Sequence, residues 1–196
     1  SIEEVTETLA SFVKSGKARQ IGFSEIAPTS LSIANAIHPI AAVQSEYSLA
    51  TRLPELGLVQ KTLELGTTLV AFSPLGRGLL TDNPPDSQKV ETIPFFRVNP
   101  RFMSPNLQRN IDASARFREL AADMGTRAAS LAVSWVLHKG EHIQTIPGTR
   151  SVQHLRELAG GAVLKLKSSD LEAIESVLPV GWAHGDRYPP RQWISP

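Results

Sequence analysis

A chain of 196 residues is long enough for one domain with a core of its own, read here as residues 1–196. Its 20 basic and 19 acidic residues are interspersed and leave a net charge of +1, so neither a nucleic-acid-binding block nor an acidic arm is present. The lack of cysteine excludes disulfides and thiolate metal sites, and no signal peptide or long apolar run occurs, which makes a cytoplasmic protein the default.

Ser1 and Glu4 read as a capping box, and Ile2, Val5, Leu9, Phe12 and Val13 fall on one helical stripe that Gly16 ends. An apolar run at 18–23 is followed by a helix over 28–37. A second run at 40–44 leads to a helix from Pro54 that Gly66 stops. The third run is 67–72. After it, residues 76–108 form a Pro-rich stretch holding Phe95, Phe96 and Phe102, far longer than ordinary loops and of the kind that serves as a lid or binding loop. Helices over 107–124 and 127–138 follow, then a fourth run at 142–146 and a helix over 151–159. A last helix over 169–178 opens on a Ser-x-x-Glu cap at Ser169, and 181–196 is an irregular tail.

Four buried strands alternating with helices indicate a parallel sheet covered on its faces, either doubly wound or a (β/α)8 barrel. Polar residues follow each strand: Ser24-Glu25, Gln44-Ser45, Ser73 and Thr149-Arg150. That clustering at strand C-termini is the barrel habit, and no Gly-x-Gly-x-x-Gly follows the first strand. A complete barrel has eight strands; four are present, so the expected fold is the last four β/α units of a parallel TIM-type barrel, a half-barrel.

Two loops carry chemistry. In Ala71-Phe72-Ser73-Pro74-Leu75-Gly76-Arg77-Gly78 an aromatic ends the strand, and small residues let main-chain N–H groups approach an anion; a plain Pro/Gly turn explains the same residues. Ile146-Pro147-Gly148-Thr149-Arg150-Ser151 closes the fourth strand with Ser151 as helix N-cap, a setting suited to phosphate with Arg150 as a planar donor, or to a solvated charge beside a capped helix.

In order, these pieces resemble the aldo-keto reductase family. The likeness rests on Ile21-Gly22-Phe23-Ser24-Glu25, on the His38-Pro39 to Ser48-Leu49 segment containing Gln44-Ser45-Glu46-Tyr47, on the Ser-Pro-Leu-Gly-Arg-Gly run at 73–78, on Asn99-Pro100-Arg101-Phe102, on Leu131–Leu137 and on 146–150. It is nearest the bacterial and plant-like branch. The resemblance implies a barrel that binds NADP(H) in extended form across its C-terminal mouth and reduces aldehydes and ketones. Ser24 and Gln44 would hydrogen-bond the nicotinamide carboxamide, with Glu25 where many members have Asn. Phe72 would stack on the nicotinamide, where most members have Tyr. Ser73, Pro74, Leu75, Gly76 and Arg77 would hold the pyrophosphate, the long loop folding over it as a belt. Gly148, Thr149, Arg150 and Ser151 would hold the ribose 2′-phosphate and favour NADPH over NADH. Many members have Lys at Gly148, so charge recognition falls on Arg150, helped by Gln153 or His154. Glu157 matches the adenine-contacting acid, and Leu158 stands where Asn is usual.

The family's general acid Tyr, its Lys and Asp partners and the carbonyl-orienting His lie in the first four β/α units, so the resemblance places no catalytic residue in this chain. Tyr47 and Tyr188 read as packing or pocket residues. His38, His138 and His142 read as structural, His154 lies on the phosphate helix and His184 in the tail, and no histidine pair has metal-ligand spacing with an acidic partner. The substrate pocket would draw on the long loop and the tail near Trp182, Tyr188 and Trp193. A half-barrel exposes two strand edges and an apolar inner face, where a missing N-terminal half or a second copy is expected. Residue 1 is Ser rather than Met. Three origins stay open: a truncated longer protein, which is favoured, half of a two-chain enzyme, or a stand-alone remnant. Relatives also serve as cofactor-sensing subunits of potassium channels, which gives the alternative of a non-catalytic NADP(H)-binding sensor or scaffold.

Overall fold

Each apolar run becomes a short strand: β1 (Gly22–Ser24), β2 (Ala42–Glu46), β3 (Thr68–Phe72) and β4 (Ile143–Thr145). The structure, a computed structural model, describes residues 1–192. The strands form one sheet in the order β1-β2-β3-β4, every pair parallel. The segments between strands carry helices: α2 (Pro28–Ile37) after β1, α3 (Leu58–Glu64) after β2, and α4 (Ser87–Thr92) through α8 (Ala128–Leu137) after β3. Helices α9 (Val152–Val163) and α10 (Ser168–Val177) follow β4, and α1 (Ile2–Lys14) precedes β1. No helix among the described residues is long and apolar enough to cross a membrane.

The sheet has two different faces. Val43, Ser45, Leu69, Ala71 and Ile143 alternate onto the side packed against helices and are buried. Gly22, Ser24, Gln44 and Gln144 are exposed on the other side, with Thr68, Val70 and Phe72 half-buried among them. Among the described residues helical cover lies on one face, and a half-barrel was expected to leave its inner face open. The open face is also mixed rather than apolar, because the registered row Ser24, Gln44, Val70 and Gln144 crosses it.

Helix α8 is buried from Ala128 through Val136, and small residues let α9 approach it closely. A Cβ on Gly161 would meet the Ser130 carbonyl oxygen at 2.5 Å, so only glycine fits this crossing. Ser130 Oγ donates to the Glu157 carbonyl at 2.7 Å and Ser134 Oγ to that of Leu164 at 2.8 Å, pinning the pair.

Several boundaries differ from the sequence reading. In α1 the capping box forms, Ser1 Oγ accepting from Glu4 N–H at 3.2 Å, but Thr6 and Ala10 are buried while Val5 and Phe12 are exposed. The long stretch after β3 is largely helical. Asp86 caps α4 by accepting from Lys89 N–H at 2.7 Å, and Pro94 pre-sets the first turn of α5 (Pro94–Val98). The helix expected over 107–124 breaks at Ser114 into α6 (Asn106–Ala113) and α7 (Ala115–Asp123). Helix α10 begins before Ser169: the Asp170 carboxylate accepts from Lys167 N–H at 2.7 Å, so the reciprocal half of a cap comes from Asp170 and not Glu172.

An ionic lattice fastens α10 to the loop after β2. Arg52 bridges Glu55 at 2.7 Å and Glu175 at 3.0 Å, Lys139 pairs with Glu175, and Trp135 Nε1 donates to it at 3.2 Å. Burial opposes ionisation of Glu175, but the hydrogen bond and charge of Lys139, joined by Arg52, outweigh it and hold the carboxyl below its ordinary 4.5. A carboxyl depressed in the folded state adds stability that is complete above the unfolded value and is lost as pH falls through the folded one. Thermal midpoints should therefore drop as pH is lowered past about 4.5, and Glu175→Gln should lower the neutral-pH midpoint while flattening that decline. Parallel curves for the two proteins would refute the role.

Candidate functional site

The C-terminal ends of the strands gather the residues singled out from sequence. Ser24 and Gln44 are register partners exposed on the open face, and Phe72 ends β3 on the same side. The sequence reading put Gln44-Ser45 beyond the strand; β2 instead runs on to Glu46, and alternation sends Gln44 to the open face and Ser45 beneath. Glu25, Ser73 and Arg77 adopt left-handed φ of 55°, 52° and 58°, a conformation disfavoured for non-glycine residues. Gly76 at 56° and Gly78 at 101° flank Arg77, so the chain turns tightly just past β3.

A cavity of about 470 Å³ runs from Phe72 through Ser73 and Pro74 to Ile146 and Pro147. A second, of about 130 Å³, continues between Asp82 of the long segment and Gln153 and Glu157 of α9. The two share Leu75, Thr81, Gly148 and His154, which makes them one crevice. Nothing would obstruct a Cβ at Gly148, so the main chain there is open to an approaching group. Thr149 Oγ1 accepts from Ser151 N–H at 3.1 Å and Ser151 Oγ from His154 N–H at 3.3 Å, which orders the turn and caps α9. Arg150 is exposed and has no hydrogen bond or ion pair with any described residue. Arg127 bridges the two walls, 3.2 Å from Asp82 and 3.8 Å from Glu157. Gln153 Nε2 donates to Glu157 Oε1 at 3.3 Å. Leu158 is buried against Ala129 and Val133, where a polar side chain would lose that packing.

Two of the singled-out side chains have their polar groups engaged by protein partners, although Arg77 also lines the crevice. Glu25 accepts from Ser45 Oγ at 3.0 Å and from Glu46 N–H at 2.8 Å and pairs with Arg187. Arg77 donates to Glu46 Oε2 at 2.8 Å and to the Arg187 carbonyl at 2.7 Å. Both belong to a buried ionic cluster that sequence reasoning missed. Its centre is Glu46, fully buried, which also accepts from Thr51 Oγ1 at 3.0 Å and lies 3.6 Å from Arg101 and 3.9 Å from Arg187. Arg101 in turn donates to the Ala50 carbonyl at 2.7 Å and to Thr51 Oγ1 at 2.8 Å. Glu46 and Arg101 both sat inside quoted motifs, so a signal existed; Arg187, an isolated tail arginine, offered none.

The tail is packed rather than open. Trp182 is buried and donates Nε1–H to the Leu49 carbonyl at 2.8 Å, so it is an anchor and not a pocket wall. Tyr188 does line a cavity of about 500 Å³ with Glu25 and Leu56, on the side of the loops after β1 and β2. Trp193 lies outside the described residues. Tyr47 is buried, donates to Glu55 at 2.8 Å, and its phenol is pushed far up by burial and by Glu55. His138 donates Nδ1–H to the Ser134 carbonyl and accepts from Leu166 N–H at 3.1 Å, and His142 Nε2 meets the Val59 carbonyl at 3.1 Å.

A family model described as the aldo/keto reductase family matches residues 1–179. The chain belongs to the aldo/keto reductase family. It is 39% identical over 190 residues to a probable aldo-keto reductase of Glycine max and 34% identical over 189 to an aldo-keto reductase of Strobilurus tenacellus. These alignments cover 95% of this chain and 54% and 56% of the relatives, so the chain spans about half the length of the curated relatives it matches. Among solved structures, a glycerol dehydrogenase from Gluconobacter oxydans superposes with a TM-score of 0.75 at 24% identity over 90% of this chain and 54% of its own. A thermostable aldo-keto reductase solved with the inhibitor epalrestat gives 0.67 at 26% identity, over 90% and 55%.

Removing the charge at the centre of the cluster leaves Arg77, Arg101 and Arg187 short of an anion in a buried site. Glu46→Gln in this member of the aldo/keto reductase family should destabilise the fold by about 3–5 kcal/mol in urea titration. A loss below about 1 kcal/mol, the range of surface pairs, would mean that the cluster is dispensable.

Proposed function

We propose that the chain is the cofactor-binding half of a cytoplasmic NADPH-dependent reductase of aldehydes and ketones, built as four β/α units of an eight-unit barrel. A missing N-terminal half or a second copy would close the open face and the β1 and β4 edges, and the residues that protonate and orient the carbonyl would lie outside this chain. The observation that carries the reading is the single track formed by Ser24, Gln44 and Phe72 on the open face, the turn at 73–78, the shared crevice and the start of α9.

The residues present fit a dinucleotide. Ser24 and Gln44, exposed and in register, offer donors and acceptors to a carboxamide, and the half-buried Phe72 offers a ring face beside them. The left-handed turn at Ser73, Gly76 and Gly78, with Pro74 and Leu75 between, brings main chain close to the crevice for a pyrophosphate. Gly148, Thr149 and Ser151 form an open helix start for a 2′-phosphate, beside which Arg150 has no competing partner and Gln153 and His154 supply donors. Glu157 closes the far end as acceptor for an adenine amino group. NADPH, when bound, supplies the hydride delivered to the carbonyl carbon.

The alternative reading is a non-catalytic NADP(H) sensor or scaffold that uses the same track without chemistry. Nucleotide titration followed by tryptophan quenching tests the binding reading, and turnover of 4-nitrobenzaldehyde with NADPH separates the two. Binding with no turnover by the full-length protein favours the sensor; no binding sinks both.

Within the site, Arg150→Ala removes a charge-assisted contact and should weaken NADPH by about ten-fold or more while leaving NADH nearly unchanged. Equal losses would exclude Arg150 from the 2′-phosphate. Phe72→Ala should weaken NADPH and NADH alike; unchanged affinity for both would remove the ring from the nicotinamide site.

A further inference from the structure

Arg77 combines a place in the Ser-Pro-Leu-Gly-Arg-Gly turn with a guanidinium already engaged elsewhere. Its Nη2 donates to Glu46 Oε2 at 2.8 Å and its Nη1 to the Arg187 carbonyl at 2.7 Å. Its Cζ is 4.9 Å from the Phe95 ring centroid and 4.8 Å from that of Tyr188, and these two rings meet edge-on at 6.2 Å. The side chain is 10% exposed. One planar group thus touches the end of β2, the α5 turn of the long segment and the C-terminal tail.

Turning this group outward to a phosphate would carry a cost at each contact. Glu46 is fully buried, and its next cation at Oε2, Arg187 Nε, is 3.9 Å away. The Arg187 carbonyl, which also accepts from Asn99 Nδ2 at 2.7 Å, would lose the Arg77 donor. Phe95 would lose the Arg77 cation, and Tyr188 would lose one of two, keeping Arg187, whose Cζ is 5.0 Å from its ring centroid. The same contacts explain why a planar fork is used: it must reach a carboxylate and a carbonyl in one plane while lying against aromatic rings, which an ammonium cannot do at once.

Resting on the dinucleotide reading above, we propose that Arg77 is a positioning residue: it clamps α5 and the tail together over the turn at 73–78 and does not itself bind phosphate. The anion contacts of that turn then come from its main chain, and the affinity of the site depends on Phe95 and Tyr188 through Arg77.

The test compares the nucleotide-free protein with Arg77→Met, Arg77→Lys and Tyr188→Leu by hydrogen exchange, then measures NADPH affinity for each. In Arg77→Met, amides of residues 95–98 in α5 and of residues 181–188 should exchange about ten-fold faster while those of β2 and β3 hold. Arg77→Lys, which keeps the charge opposite Glu46, should restore part of that protection. Tyr188→Leu keeps every charge of the cluster, so it reports even if Arg77→Met unfolds. NADPH affinity should fall about ten-fold in both Arg77→Met and Tyr188→Leu, with the double variant no weaker than the worse single one. Unchanged exchange in α5 and the tail, or an affinity loss confined to Arg77 variants with Tyr188→Leu binding as wild type, would overturn the clamp. A wild-type protein that does not bind NADPH refutes the dinucleotide reading instead, and the exchange comparison still decides whether Arg77 is a clamp.

Discussion

The architecture at the mouth of the sheet depends on one buried carboxylate. Glu46 ends β2 with no solvent contact, and an isolated charge in that position would be untenable. Three arginines from three segments converge on it: Arg77 from the turn after β3, Arg101 from the long segment and Arg187 from the tail. The desolvation of these ions is offset only while all the segments are in place, so the cluster makes their docking cooperative. Asn99 and Asn110 extend the same logic with neutral donors, to the Arg187 carbonyl at 2.7 Å and to those of Arg101 and His184 at 2.9 and 3.0 Å. The long segment and the tail are thereby tied to the strand ends by polar contacts, while Phe96 stacked on Phe102 at 4.2 Å packs the long segment against itself.

The opposite constraint governs the sheet itself. Its helical side is a continuous core running from Leu31 through Leu69 and Trp135 to Ile174. Its other side presents Ser24, Gln44, Thr68 and Gln144 beside Val70 and Phe72. A wholly apolar face would drive non-specific association; a row alternating polar and apolar side chains instead suits a surface that meets both packed protein and a polar ligand. The stable core thus sits behind the strands and the chemical groups in front of them, which fixes the positions of Ser24, Gln44 and Phe72 without asking them to stabilise the fold.

What was legible in the sequence follows from how local each cause is. The strands and α2 were readable because apolar runs and a proline at the first helical turn are local signals, and α2 matches its expected bounds of Pro28–Ile37. The helices α4 and α5 were hidden because prolines that read as loop signals serve here as helix starts, as Pro94 does. Of the crevice and the turn beside it, Ser73, Gly76 and Gly148 were visible as a motif string, since their place there rests on main-chain conformation that glycine and small residues announce. The destinations of Glu25 and Arg77 were not visible. Each depends on Arg187, separated by 162 and 110 residues along the chain, and no periodicity or spacing encodes a contact of that range.

The strained conformations and the ionic cluster are two sides of one arrangement. Glu25 and Arg77 hold left-handed φ values that cost free energy for residues bearing a Cβ, and both spend their side chains on the cluster. Ser73, the third such residue, is held differently: its carbonyl accepts from Gly76 N–H at 2.9 Å, and the turn closes on itself through Gly78 N–H to the Leu75 carbonyl at 3.0 Å. Strain of this kind persists only where the surroundings over-determine it. For Glu25 and Arg77 the surroundings are Glu46 and the arginines around it, so a buried carboxylate that does not itself line the crevice helps to set the shape of the turn beside it. A substitution in that cluster therefore acts on the main chain of the crevice from a distance, whereas a substitution at Arg150, which no described residue restrains, leaves that turn as it is.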